Sequence, residues 1–351
     1  MTPDASDPRA QNVRSEALDG VRRRARVLKP AAGLDVPALS DAEMARFNLP
    51  PRPDARADPQ LFKLWRRMFS PPLRFVDASF GIQQQARHSL LRTPVTRTSE
   101  AIASAGATRA GGSRNWAGAV ASAHGGMRFT SVWGSWRVPT PHAPAGADPA
   151  TPPPGGQYQC SSWIGLDGHR LHSVSMPQMG TTQALQLVDG AWAAKVSVWH
   201  QWWTRGQNFP FVTLESFALD PEDEVIATLT VVNPLTVRFT IKNQSKGDCA
   251  LVERSADSPL TPVEGSAAEW IVERPTDLDD ESILYELPDY GSVTFTDCAA
   301  TLAGVPCALE ARRLIRMHRS RDNPHRTETI SVPEEVAAGG RSLRVVYRAS
   351  S

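Results

Sequence analysis

The stretch EGSAAEWIVERP, residues 264–275, places one acid, Glu269, beside Trp270 and ahead of Ile271 and Val272. In an extended chain Glu269, Ile271 and Glu273 share one face, and Trp270 and Val272 share the other. Two environments fit such a carboxylate. On a solvated face it is an ordinary strand residue. Held against apolar surface, it becomes a general base and acid, with a pKa raised above its reference of about 4.3. A glycosidase-type pair with Glu273 does not fit, because four residues of strand separate the two by about 13 Å, beyond the usual carboxylate spacing.

The other chemistry-bearing residues form no familiar set. G-x-S-x-G, H-E-x-x-H, a P-loop and paired Asp-Thr-Gly are all absent. His169 and His172 are close in sequence but lack a third ligand nearby, so they read as loop residues, and neither metal nor cofactor is expected. Cys160 has no base beside it and reads as a buried or idle thiol. Cys298 and Cys307 flank a turn, a spacing open to a disulfide in an exported protein and equally to free thiols.

The elements that must position these groups divide the chain in two. Residues 1–110 carry 18 Lys/Arg against 11 Asp/Glu, a net of +7, and the remainder has a net of −6. The first part has helix signals. SDAEMARFNLPP opens with Ser40 and Glu43 in capping-box spacing. DPQLFKLWRRMF offers Asp58 as N-cap, Pro59 at N1, and Leu61, Leu64, Trp65 and Met68 on one helical face. Residues 99–113, SEAIASAGATRAGGS, read as a flexible, cleavable linker. Beyond about residue 113 the period becomes two. VIATLTV and TVRFTIK flank an Asn233-Pro234 turn as a hairpin, and MRFTSVWGSWRVP, AAKVSVWHQWW, GSVTFTD and RSLRVVYR are further strands. Many strands without alternating helices imply an all-β, antiparallel sandwich or barrel.

Composition narrows the function. A hydrophobic share of 41% supports a core, and a net charge of +1 argues against nucleic acid or a membrane as partner. No apolar run reaches the length of a membrane span, and the N-terminal residues show no apolar signal region. Ten Trp is a high number, suited to lining a groove or filling a wide core.

Five short stretches occur in order: SRNWAGAV (113–120), SWRVPT (135–140), SSWIGLDG (161–168), SMPQMG (175–180) and AAEWIVE (267–273). Together they resemble the glutamic peptidases, or eqolisins, in a bacterial-type member with an N-terminal, pro-segment-like extension. The resemblance covers residues 113–300 well and implies a lectin-like (concanavalin-type) sandwich of two large bent sheets over 111–351, with 1–110 as a basic extension and linker. It implies endopeptidase activity with Glu269 as general base and acid. Gln178 would donate to the oxyanion, a role suited to a side chain that stays neutral in acid. Trp116 and Trp163 would line the substrate cleft, with Asp167 as a supporting carboxylate.

The chain departs from the family pattern at two places in that surround. WHQWW (199–203) puts His200 and Gln201 where Tyr and Glu are usual, and Thr182 stands where an Asp is usual. Gln201 and Thr182 are therefore expected as neutral members of the substrate-binding set. The implied partners are protein or peptide substrates, with the chain's own N-terminal segment as an intramolecular inhibitor docked by charge. Family members are largely exported, which the N-terminal residues here do not signal. The competing reading is a non-catalytic, lectin-like sandwich binding glycans or peptides through its tryptophans.

Overall fold

The period-two segments beyond residue 113 form long strands, and the two helix signals upstream form helices. The structure, a computed structural model, describes residues 16, 18–82, 86–87, 111–170, 172–207, 211–277, 283–307, 312–320, 327–335 and 340–349. The linker expected at 99–113 lies outside these up to residue 110.

The N-terminal segment supplies β1 (Ala25–Leu28), α1 (Asp41–Arg46), α2 (Pro59–Phe69), β2 (Arg74–Phe75), β3 (Ser79–Ile82) and β4 (Ala86–Arg87). Then follow β5 (Gly111–Ser113), β6 (Trp116–Ser122), β7 (Phe129–Arg137), β8 (Gln157–Leu166), β9 (Ser175–Val188), β10 (Ala191–Thr204) and β11 (Val212–Glu215). The central strands are β12 (Glu224–Asn233), β13 (Thr236–Asn243), β14 (Asp248–Ser255), β15 (Ala267–Glu273) and β16 (Thr276–Asp277). The last are β17 (Ser292–Leu302), β18 (Val305–Pro306), β19 (Arg313–Ser320), β20 (Thr327–Glu335) and β21 (Leu343–Tyr347).

Pairing runs in one path, β3-β11-β10-β9-β8-β15-β6-β19-β20-β21-β17-β7-β12-β13-β14. The structure is thus mostly β and antiparallel, with a small helical region near its N-terminal end. Two short pairs, β2 with β14 and β5 with β19, are parallel. The period-two pattern left a sandwich or a barrel open, and the family resemblance implied two large bent sheets. Two halves pack face to face as in such a sandwich, and β20 and β21 carry hydrogen bonding from one half into the other, so that 19 strands among the described residues belong to one folded sheet.

The front half runs from β11 to β19 and the back half from β17 to β14. Alternation sends Ile164, Met179, Trp202, Trp270 and Val272 from the front, and Trp136, Ala227, Phe239, Ile241 and Phe295 from the back, into one shared core. Trp270 Nε1 donates to the Trp133 carbonyl at 2.8 Å and ties the halves together.

The outer face of the back half is covered by the N-terminal helices. Ser40 and Glu43 form the capping box that starts α1. Asp58 accepts from the Leu61 amide at 2.9 Å and starts α2. Leu61, Leu64, Trp65, Met68 and Phe69 then pack on Trp133, Ile226, Cys249, Leu251 and Ala299. Each such side chain contributes roughly 1.5–3 kcal/mol by burial. Ion pairs follow the charge division: Arg67 meets Glu224 and Asp297, Arg74 meets Asp248, and Arg26 meets Glu253. Each pair keeps at least one partner open to solvent, which limits its contribution to about 0–1 kcal/mol, so packing dominates. No disulfide joins any of the four cysteines among the described residues, so Cys298 and Cys307 take the thiol alternative.

Candidate active site

Strand registers bring distant residues into rows. Glu269 on β15 faces Gly165 on β8, Gly165 faces Gln178 on β9, and Gln178 faces Gln201 on β10. Directly opposed residues project to the same side of a sheet. Glu269, Gln178 and Gln201 therefore share the outer face of the front half, with the first two separated by two strand spacings, roughly 9.5 Å. Gly165 places no side chain in that interval, and the edge of the Trp163 indole lies over it. A Cβ there would lie 2.9 Å from Trp163 Cζ3 and 3.1 Å from Gln178 Cβ.

The next row is Ile271, Trp163, Gly180 and Trp199, and the one beyond it is Trp116, Glu273, Ser161, Thr182 and Ser197. At Gly180 a side chain would overlap Trp163, with a Cβ 2.5 Å from the indole-bearing Cβ. Trp116 and Trp163 meet edge to face at 5.1 Å. With Met176, Trp199, Phe211 and Tyr285 they wall the rows in apolar surface. Glu269 and Gln178 are both 0% exposed, so this is a carboxylate and an amide held out of water.

Hydrogen bonds fix the polar groups. Gln178 Nε2 donates to Gln201 Oε1 at 2.9 Å, while Gln178 Oε1 is buried with no partner. The amide nitrogen carries two hydrogens, so one N–H remains beyond that bond. Glu273 accepts from Trp163 Nε1 at 2.9 Å and from Asn115 Nδ2 at 3.3 Å, which holds the indole plane.

The expected residues are not all gathered. Trp116 and Trp163 stand beside the row. Gln201 lies in it, against Gln178. Thr182 is two rows away and shares a hydroxyl contact of 3.0 Å with Ser161. Asp167 sits past the end of β8 with a φ of 71°. It accepts from the amides of Glu264, Gly265 and Ser266 and from the Ser266 hydroxyl, so it clamps the loop that enters β15. Burial pushes its carboxyl up from the ordinary value, and those hydrogen bonds oppose the shift.

His200 points the other way, into the core between the halves. It lies 5.2 Å from Phe239 and 5.6 Å from Phe80, and neither ring nitrogen has a partner. Burial, with the Arg254 charge nearby, pushes its pKa down to about 3. Cys160 is likewise inside, its thiol pushed up by burial. His172 lies 3.6 Å from Glu264, and no group of three or more metal-ligating side chains occurs among the described residues.

Three contributors were not singled out as site residues in the sequence. The alternation of β15 already placed Glu273 on the same face as Glu269. Asn115 and Gly165 lay within two of the quoted motifs, but their roles depend on cross-strand register.

Residues 114–337 match the Peptidase A4 family. Aspergillopepsin-2 of Aspergillus niger is 28% identical over 208 residues, spanning 55% of this chain and 66% of that protein. The crystal structure of scytalido-glutamic peptidase with a transition state analog inhibitor aligns with a TM-score of 0.51 at 16% identity, over 67% of this chain and 98% of that one. A second structure of that peptidase, with a peptide based transition state analog, gives 0.50 at 17% identity, again over 67% and 98%. These two likenesses concern the fold. With the family match covering more than half of its length, the chain belongs to the Peptidase A4 family, the glutamic peptidases or eqolisins.

Proposed function

We propose that this chain is an endopeptidase built on a bent, lectin-like β-sandwich, with Glu269 and Gln178 as its catalytic pair. The observation that carries the reading is their shared row, one on each side of Gly165. A peptide laid over Gly165 and the adjoining Trp163 edge has its scissile carbonyl between the two groups. The Glu269 carboxylate takes a proton from water as the water oxygen bonds to the carbonyl carbon. The carbonyl π electrons move onto oxygen, and the second N–H of Gln178 donates to that oxyanion. Glu269 then returns the proton to the departing amine nitrogen as the C–N bond breaks. A positioned donor of this kind is worth roughly 3 kcal/mol of barrier. The tryptophan walls exclude bulk water and strengthen both interactions.

The substrates in this reading are extended protein or peptide segments. The chain's own N-terminal segment acts as an inhibitor of the precursor. Two features support that part: β4 pairs with β16, which begins three residues after Glu273, and Glu269 is closed to solvent. Incubation at pH 4 followed by N-terminal sequencing of the products is expected to show a new start upstream of residue 114. A chain that remains full-length counts against inhibition by the segment.

The activity itself is tested by digesting an unfolded protein across pH 2–7. Cleavage by the activated wild type, none by Glu269→Ala and cleavage slowed about 100- to 1,000-fold by Gln178→Ala is the expected pattern. Undiminished cleavage by either variant rejects the pair.

A further inference from the structure

The basic N-terminal segment resembles a removable extension by position, yet its contacts are those of a structural part. β1 adds to the outer edge of β14 over four residue pairs, Ala25 to Leu28 against Arg254 to Leu251. β2 pairs with the other end of the same strand. Only residues 76–78 separate β2 from β3, which adds to β11 at the opposite end of the sheet path. The segment therefore covers the free edges of both end strands of the path, β14 and β11. Unpaired edges of this length are templates for aggregation, and covering them is a standard solution.

Between β1 and β2 the chain covers the outer face of the back half. Leu64, Trp65, Met68 and Phe69 are at most 1% exposed there. The buried Lys242 ammonium donates to the carbonyls of Arg67 and Ser70, at 3.3 and 2.7 Å, at the end of α2. Removing the segment would leave that cation without its acceptors and the apolar face of Ile226, Leu251 and Trp133 in water.

The connection also reaches the site. β11 lies between β3 and β10, and β10 presents Gln201 to Gln178. We infer that residues 25–82 are a permanent belt of the working protein, one that stays bound after the chain is cut in the linker and that supports the edge of the strand holding Gln201. The binding surface is the back outer face with the β14 and β11 edges, and the partner is the chain's own 25–82 segment. The cut rests on the endopeptidase reading, whereas the retention of the belt does not.

The test keeps the two apart. A recognition sequence for an unrelated specific protease is placed within residues 99–110 of the full chain carrying Glu269→Ala, so self-digestion plays no part. After complete cutting, the protein is run on a sizing column at pH 7 and at pH 4 in 0.5 M salt, about three times physiological ionic strength, which screens the exposed ion pairs. The belt account expects both fragments in one peak, in equal amounts, at the volume of the uncut chain at both pH values. A free N-terminal fragment at either pH overturns it. An inactive wild type would reject the endopeptidase reading and leave this result unaffected.

Discussion

The outer faces of the two halves are both buried, and they use their polar groups differently. On the back, Lys242 is spent on carbonyls at the end of α2, and Trp65 Nε1 donates to the Pro50 carbonyl at 3.3 Å. Unpartnered on that side are the hydroxyls of Thr230 and Thr240 and the Nε atoms of Arg238 and Arg52. On the front, Glu269, Gln178 and Gln201 stand in one row between tryptophans, with the Gln178 amide oxygen unpartnered. Buried polar groups are normally satisfied, and in the proposed reading the unused part of the Gln178 amide is kept for the substrate. In the proposed reading the back face serves stability and the front face holds the catalytic pair.

That division predicts where a substitution will register. The largest effect is expected from Trp65→Ala on the back, a loss of about 3–5 kcal/mol from the cavity it leaves. The urea midpoint should fall accordingly, and a change near zero would mean that the helix merely rests on the sheet.

His200 comes next, because its cost is set by pH. Its imidazole is neutral in the fold, with a pKa pushed down from 6.5 to about 3. The charged groups near it are Arg254 on β14 and, paired with that guanidinium at 2.8 Å, Asp257. Between these two pH values the unfolded chain binds a proton that the folded chain does not. Stability from neutral His200 is therefore complete above pH 6.5 and is lost as pH falls toward 3, by on the order of 4 kcal/mol. His200→Phe should flatten the stability curve across that window. Parallel curves for variant and wild type would show that His200 is not the group responsible.

On the front, Gly165→Ala is expected to cut kcat/KM by about 100-fold, a misplacement effect, with a much smaller shift in Tm than Trp65→Ala. A loss of Tm equal to that of the Trp65 variant would erase the distinction between the faces. The smallest effect expected is that of Glu273→Gln. Glu273 accepts from two donors, and a Gln offers only one acceptor oxygen, so about 1–2 kcal/mol is lost from the hold on Trp163. This should appear mainly as a raised KM, and an unchanged KM would remove Trp163 from substrate contact.

Local features were legible in the sequence wherever they depended on neighbours in the chain. The Asp58 and Pro59 start of α2, its buried face, the β12–β13 hairpin and the alternation that puts Glu269 opposite Trp270 all follow from residues a few positions apart. Distant pairings were not legible. Ala25 meets Arg254 across the length of the molecule, and nothing in either segment names the other. Gln201 was expected near the substrate, but its contact with Gln178 depends on the register of the long β9–β10 hairpin. Asp167 was expected as a supporting carboxylate of the site, whereas its position past the strand end turns it toward three loop amides. His200 drew notice as a departure from a motif, and its burial between Phe80 and Phe239 required the belt strand to be in place.

The most direct test of the row is kinetic. Values of kcat and KM are compared for Gln178→Ala, Glu269→Ala and the double variant on one peptide substrate, with Tm recorded for each. The row predicts that Gln178→Ala lowers kcat by about 100- to 1,000-fold with little change in KM. It also predicts that Glu269→Ala removes the remaining turnover and that the double variant is no worse than Glu269→Ala alone. A Gln178→Ala protein with wild-type kcat would contradict it.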